Sequence, residues 1–233
     1  MHTFTFNGHC CSEYGVLVSG SGTFNTPEKD EEVIEVPGRN GTLILSNHRY
    51  KNVTVTYPAF IRDSFSANSA ALRAWLLAAD GYCRLTDDYH PGEFRMARFK
   101  GPLNFETRFL NSGGECDLSF DCKPQRFLTS GEIETTLTEA GTITNPTLFS
   151  ALPLITVYGA GAGQLSIAGQ VISISAVGSN MTLDCETENA YKGTQNKNNS
   201  VSGVFPKLLP GSNAVSWSGG ITSVKIKPRW WTI

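Results

Sequence analysis

Short stretches in which apolar and polar residues alternate recur along the 233-residue chain, separated by Gly, Pro, Asn and Asp. Alternation with period two puts every second side chain on one face of a strand, so the pattern predicts half-buried strands joined by turns and a mainly β protein. In the first half the predicted strands cover residues 3–6, 32–36, 42–45, 53–60, 94–100, 103–109 and 115–123. In the second half they cover 153–158, 164–167, 171–175, 181–185, 214–218 and 221–227, at the close spacing of a β-sandwich. Between 36 and 42, Pro37-Gly38-Arg39-Asn40-Gly41 packs two turn dipeptides together and predicts a hairpin with Arg39 at an exposed tip.

Residues 68–81 follow a different period. Leu72, Trp75, Leu76 and Ala79 fall at i, i+3, i+4 and i+7, which is one face of an amphipathic helix. Ser66 or Asn68 is the expected N-terminal cap and Gly81 the expected left-handed stop, with the apolar stripe packing on the helix's own sheet. After 123–131 charge thins and Gly, Ser, Thr and Asn dominate. The expected boundary lies there: 1–131 is a β-rich N-terminal domain with one α-helix, and 132–233 a C-terminal β-sandwich. Residues 192–202 carry Asn196, Asn198, Asn199 and Gly193, too polar to bury, and are expected to form a surface loop or mobile tip.

Composition narrows what such a protein can do. Hydrophobic residues at 40% and charged residues at 17% suit packed cores. Nineteen Lys and Arg against 21 Asp and Glu give a net charge of −2, which supplies no field for nucleic acid or an acidic membrane. No stretch approaches the ~20 apolar residues of a membrane span, and the N-terminus lacks a signal-peptide pattern, so folding in a cytoplasm is expected. The six cysteines have no framework spacing and are expected to be free thiols, with Cys116 and Cys122 facing one core from a single strand. His9 beside Cys10 and Cys11 lacks the paired spacing of a zinc site, so neither metal nor cofactor is expected.

Each candidate constellation for catalysis fails on context. Residues 153–163 resemble a strand entering a glycine-rich phosphate loop, but another strand-like run follows where that loop needs a helix N-terminus. Asp87-Asp88 and Asp30-Glu31-Glu32 offer carboxylates, yet adjacent acids point apart and read as solvated turn residues. No G-x-S-x-G elbow is present, and His2, His9, His48 and His90 belong to no motif. The sequons at Asn40, Asn52, Asn180 and Asn198 carry no meaning outside a secretory route. Trp217 alternates with Val215 and is expected in the core. Trp230 and Trp231 are adjacent and cannot share one side of a strand, so one of them is the candidate for stacking on a host sugar.

Several blocks then carry a resemblance. Phe4-Thr5-Phe6-Asn7-Gly8, Ser12-Glu13-Tyr14-Gly15-Val16 and Ile34-Glu35-Val36-Pro37-Gly38-Arg39-Asn40-Gly41 look like the opening of siphophage distal tail proteins. Arg84-Leu85-Thr86-Asp87-Asp88-Tyr89, Arg95-Met96-Ala97-Arg98 and Phe120-Asp121-Cys122-Lys123-Pro124-Gln125-Arg126-Phe127 are similar to later blocks of that family, in the same order. In the second half the resemblance rests on Leu183-Asp184-Cys185-Glu186, on 205–213 and on Ile226-Lys227-Pro228-Arg229-Trp230-Trp231.

The resemblance implies a baseplate hub without catalytic activity, located in the virion at the phage tail tip. Its N-terminal domain would assemble into a homo-hexameric ring, and its C-terminal domain would be a peripheral galectin-like or carbohydrate-module-like sandwich. The implied partners are the major tail tube protein, the tail-associated lysin or fibre, and receptor-binding proteins; the alternative reading is a carbohydrate-binding module that contacts host glycans. Arg39 and Asn40 at the hairpin tip, together with Arg84, Asp87 and Arg95, are the candidate interface residues. The acid beside these arginines suits ion pairs at a subunit boundary better than a raised carboxyl pKa.

Overall fold

The computed structural model describes residues 2–20, 24–108 and 112–233. Phe109, the end of one predicted strand, lies outside them. The chain is mainly β with one α-helix among the described residues, and it divides into two compact units, Met1–Arg126 and Phe127–Thr232.

The first unit runs β1 (Phe4–Phe6), β2 (His9–Cys10), β3 (Val16–Val18), β4 (Lys29–Glu35), β5 (Thr42–Tyr50), β6 (Val53–Ile61), α1 (Phe65–Ala78), β7 (Cys83–Asp87), β8 (Glu93–Phe99), β9 (Glu106–Arg108) and β10 (Gly113–Cys122). The short β11 (Arg126–Leu128) stands where the units meet in sequence. Its main sheet has the antiparallel order β2-β1-β7-β8-β10-β6-β3, with β9 on β10. A bridge between His2 and Val18 brings the far edge back beside the start of β1, so the sheet curls nearly closed. β6 shows why: its odd positions Val53, Val55, Tyr57, Ala59 and Ile61 are buried and its even positions are more open, as period two requires. Cys116, Leu118, Phe120 and Cys122 do the same on β10, and both thiols face the core.

That core is aromatic. Phe4 stacks on Tyr57 at 4.9 Å and meets Phe120 edge-on at 5.5 Å. Helix α1 closes it with Leu72, Trp75 and Leu76, and Trp75 stacks on Tyr14 at 4.4 Å. Each large apolar side chain so buried contributes roughly 1.5–3 kcal/mol.

The helix occupies Phe65–Ala78 rather than 68–81. It begins earlier because Asn68 N–H already bonds the Ser64 carbonyl, while the Asn68 side chain donates backwards to Asp63 O at 2.8 Å instead of capping. It ends before Gly81 because Ala79 is extended, and Gly81 supplies its positive φ only two residues later.

The second unit contains β12 (Thr135–Leu137), β13 (Gly141–Asn145), β14 (Leu154–Ile167), β15 (Gln170–Ile174), β16 (Ser179–Asp184), β17 (Asn189–Lys192), β18 (Gln195–Asn196), β19 (Val201–Gly203), β20 (Gly211–Lys227) and β21 (Trp231–Thr232). The path β12-β20-β14-β16-β17-β18 carries β13 on β20, β15 on β14 and β19 on β15. Two pairs of predicted strands prove to be single long strands, β14 and β20, which pair with each other almost throughout. The glycine run of β14 is a bend, marked by register shifts at Gly159 and Gly163, and it faces Gly219 and Gly220 of β20. A Cβ at Gly159 would run into the Gly220 carbonyl, and one at Gly220 into the Ala160 carbonyl. Glycines are thus required on both sides of the bend. The bend lets both halves of the two strands line one core, with Ile155, Val157, Val224 and Ile226 from one half and Leu165, Ile167 and Val215 from the other.

Residues 192–202 are not a plain loop: β18, a 3-10 turn at Asn198–Ser200 and the start of β19 fall within them. Polar side chains replace a core there. Asn198 Oδ1 accepts from Ala190 N–H at 2.6 Å, and its amide donates to Asn189 Oδ1 at 2.9 Å.

Candidate assembly surface

β4 and β5 form a two-stranded sheet of their own, apart from the main sheet. Val33 pairs with Ile44 on one face, while Ile34 opposite Leu43, and Leu45 opposite Glu32, lie on the other. Val33 is 60% exposed, Ile44 56% and Leu45 47%. Isolated two-stranded ribbons are marginal in water, and exposed apolar clusters on folded proteins mark contact surfaces. This ribbon presents apolar side chains on both faces, so it suits insertion between two surfaces. Ion pairs fasten its base: Arg49 Nε lies 2.6 Å from Asp30 Oδ2, and Lys51 Nζ 3.4 Å from Glu28 Oε2.

The predicted tip is where the turn chemistry put it. Arg39 and Asn40 are exposed in the turn between β4 and β5, and Arg39 N–H bonds the Val36 carbonyl at 3.1 Å. The sequence did carry a signal for the ribbon itself, the consecutive apolar runs Val33-Ile34 and Leu43-Ile44-Leu45, which a strand buried on one face does not need.

Arg84, Asp87 and Arg95 belong elsewhere. The Arg84 guanidinium lies 3.8 Å from the centroid of the Phe94 ring. Asp87 and Arg95 are corrections to the expectation of exposed residues at a boundary or turn, because both sit inside the curled sheet. Asp87 accepts from the Tyr57 hydroxyl at 2.6 Å, from His90 Nδ1 at 2.9 Å and from the backbone N–H groups of Tyr89 and His90. Arg95 is 7% exposed. Burial pulls its guanidinium below the ordinary value, and neighbouring Arg126 acts in the same direction. Asp88 is fixed as well, accepting from Thr3 N–H at 2.8 Å and from its hydroxyl at 2.7 Å. His90 escaped the sequence reading because no motif announces a histidine whose partner lies three residues back in a tight turn.

The tryptophans divide. Trp230 is 5% exposed and part of the second unit's core, which removes it as a sugar-stacking face. Trp231 is half-buried, with Phe149 stacked on its ring at 4.5 Å and its Nε1 donating to Ser150 O at 3.0 Å. Trp217 packs half-buried against the same core.

No family model matches the chain, and no curated protein matches it. Solved structures do. The crystal structure of the SPP1 Dit protein, titled a paradigm of hub adsorption apparatus in Gram-positive-infecting phages, superposes with a TM-score of 0.77 at 13% identity, over 100% of both chains. A chain of the phage p2 baseplate in its activated conformation with Sr gives 0.52 at 8% identity, over 97% of this chain and 98% of that one. A second p2 baseplate structure, with Ca, gives 0.52 over 97% of each. The chain has the fold of these phage hub and baseplate proteins.

Proposed function

We propose that this chain is a structural hub of a phage tail tip, one subunit of a ring that joins the tail tube to the tail-associated lysin or fibre and to receptor-binding proteins. The observation that carries this reading is the β4–β5 ribbon, which leaves Val33, Leu43, Ile44 and Leu45 exposed across its two faces. A second copy of the chain is the occupant it suits, since a ribbon that reaches out from its subunit to lie on a neighbour makes a head-to-tail contact, and such contacts form a ring where the rotation between copies closes. The likeness of the whole chain to a hub protein supports the same assignment. Six subunits, and a peripheral galectin-like second unit, follow from the resemblance of the sequence to distal tail proteins.

The hub needs no chemistry of its own. Asp87, which a hydrolase would have to leave free to exchange protons, is held by four hydrogen bonds.

Native mass spectrometry of the full chain tests the reading. The expected species is a closed ring, and Ile44→Asp with Val33→Asp is expected to leave a folded monomer, because a charge on the ribbon cannot be desolvated at the contact. A wild-type chain that stays monomeric at high concentration, or a double variant that still forms rings, counts against it.

A further inference from the structure

Inside the curled sheet of the first unit lies a small cavity of about 20 Å³, lined by Tyr57, Asp87, His90, Glu93, Arg95 and Arg126. That is room for one small occupant. Two polar atoms on its wall, Arg95 Nη2 and His90 Nε2, are buried without a hydrogen-bond partner among the described residues. A buried donor left unpaired costs about 1–3 kcal/mol, and more when it is charged.

The charges around the cavity are already assigned. Asp87 is taken up by Tyr57, by His90 Nδ1 and by backbone N–H groups. Glu93 pairs with Arg126 at 3.4 Å. Among the described residues, Arg95 has only a 3.5 Å hydrogen bond, from Nη1 to the Lys123 carbonyl. It is therefore a buried cation with no carboxylate at ion-pair distance among the described residues, and a second guanidinium stands near it. With a neutral imidazole, Arg95 and Arg126 balance Asp87 and Glu93. With a protonated imidazole, Nε2 becomes a second donor aimed into the cavity and the group carries one net positive charge. The remaining titratable neighbour is the Cys122 thiol, which burial holds neutral by pushing it up to about 12.

We propose that this cavity is a proton-linked binding site for a single halide-sized inorganic anion, held between the Arg95 guanidinium and the protonated His90 imidazole. The anion satisfies both orphaned donors and restores neutrality. It fastens the turn carrying His90 to strand β8, which carries Arg95.

The probe is sodium bromide, with sodium gluconate at equal ionic strength as the anion too large to enter. Thermal unfolding of the full chain is followed at about pH 5.5 and about pH 8. Bromide is expected to raise the transition temperature saturably at the lower pH, with its affinity weakening about tenfold per pH unit once the imidazole is neutral. Arg95→Met and His90→Gln are expected to abolish the difference between bromide and gluconate. Should either variant fail to fold, crystals of the unaltered chain soaked in bromide at the lower pH decide the matter through an anomalous peak between Arg95 and His90. An ordered water alone at that position overturns the proposal, as does a bromide response that is equal at both pH values or survives both substitutions.

Discussion

The Tyr57 hydroxyl donates a 2.6 Å hydrogen bond to Asp87 Oδ2, joining β6 to β7, two strands that are not neighbours in their sheet. A hydrogen bond to a charged group contributes about 1.5–3 kcal/mol, so Tyr57→Phe is expected to lower the unfolding free energy by that much in chemical denaturation. Burial first, and then the Asp87 charge, push the phenol well above its ordinary range. The sign follows from linkage. Above about pH 10 the unfolded chain ionises this tyrosine and the folded chain does not, so stability falls as pH rises. The gap between wild type and Tyr57→Phe is therefore expected to narrow on the alkaline side.

Thiol chemistry separates the six cysteines. Burial raises Cys11 to about 11, and Cys116, Cys122 and Cys185 to about 12. At half-buried Cys10 burial also pulls upward, but hydrogen bonds from Ser12 outweigh it and leave the thiol below its ordinary value. The nucleophile is the thiolate, so a maleimide is expected to label Cys10 first, with Cys11, Cys116, Cys122 and Cys185 labelled only on unfolding. Peptide mapping after a short pulse checks the order. The same raised values predict a loss of stability between about pH 8.5 and the folded-state values, because the unfolded chain releases those protons first.

The bend in β14 and β20 makes a third test. Gly220→Ala would drive a methyl into the Ala160 carbonyl, where backbone cannot give way, and is expected to cost about 1–3 kcal/mol or more. Gly161 has a φ of +83° but open space around its missing Cβ, so Gly161→Ala is expected to cost only about 1–2 kcal/mol of backbone strain. Equal melting temperatures for the two variants would show that the bend tolerates side chains.

These glycines also show where the sequence stops being readable. Alternation located β6 and β10 to within a residue or two at each end, because one face of each is buried and the other is not. It could not join residues 153–158 to 164–167, since a glycine run has no faces and reads as a loop until a facing glycine pair is known. Strand β7 went unseen because Leu85 is its one buried residue and a single apolar position has no period. Its ladders to β1 and β8 hold it in place. The hairpin tip at Arg39 and Asn40 was legible from turn chemistry. The burial of Asp87, Arg95 and Trp230 was not, because it depends on partners such as Tyr57, 30 positions away in sequence.

The end of the second unit is fixed by an ion pair that acid should release. Arg229 Nη1 lies 2.6 Å from Asp184 Oδ1 and 3.4 Å from Glu186 Oε2, although Arg229 itself has a positive φ of 59°. The strained backbone is held because Arg229 N–H bonds the Gly131 carbonyl at 2.8 Å while the next residue, Trp230, is packed in the core. Burial alone would raise the Asp184 carboxyl, but the Arg229 guanidinium outweighs it and holds the group below its ordinary value. A depressed carboxyl contributes stability that is complete above the unfolded value of about 3.9 and disappears as pH falls through the folded one. Arg229→Gln is therefore expected to destabilise the protein at neutral pH, and to differ much less from wild type once the pH has fallen below the depressed Asp184 value, where the carboxyl is protonated in both. Fluorescence read in a Trp75→Phe, Trp217→Phe, Trp231→Phe background, which leaves Trp230 as the one indole, reports the change: a red shift at neutral pH in the Gln variant shows that indole reaching water. A variant whose stability runs parallel to wild type across the acid range would mean that the Asp184 pair contributes nothing, and that core packing of Trp230 alone holds the segment.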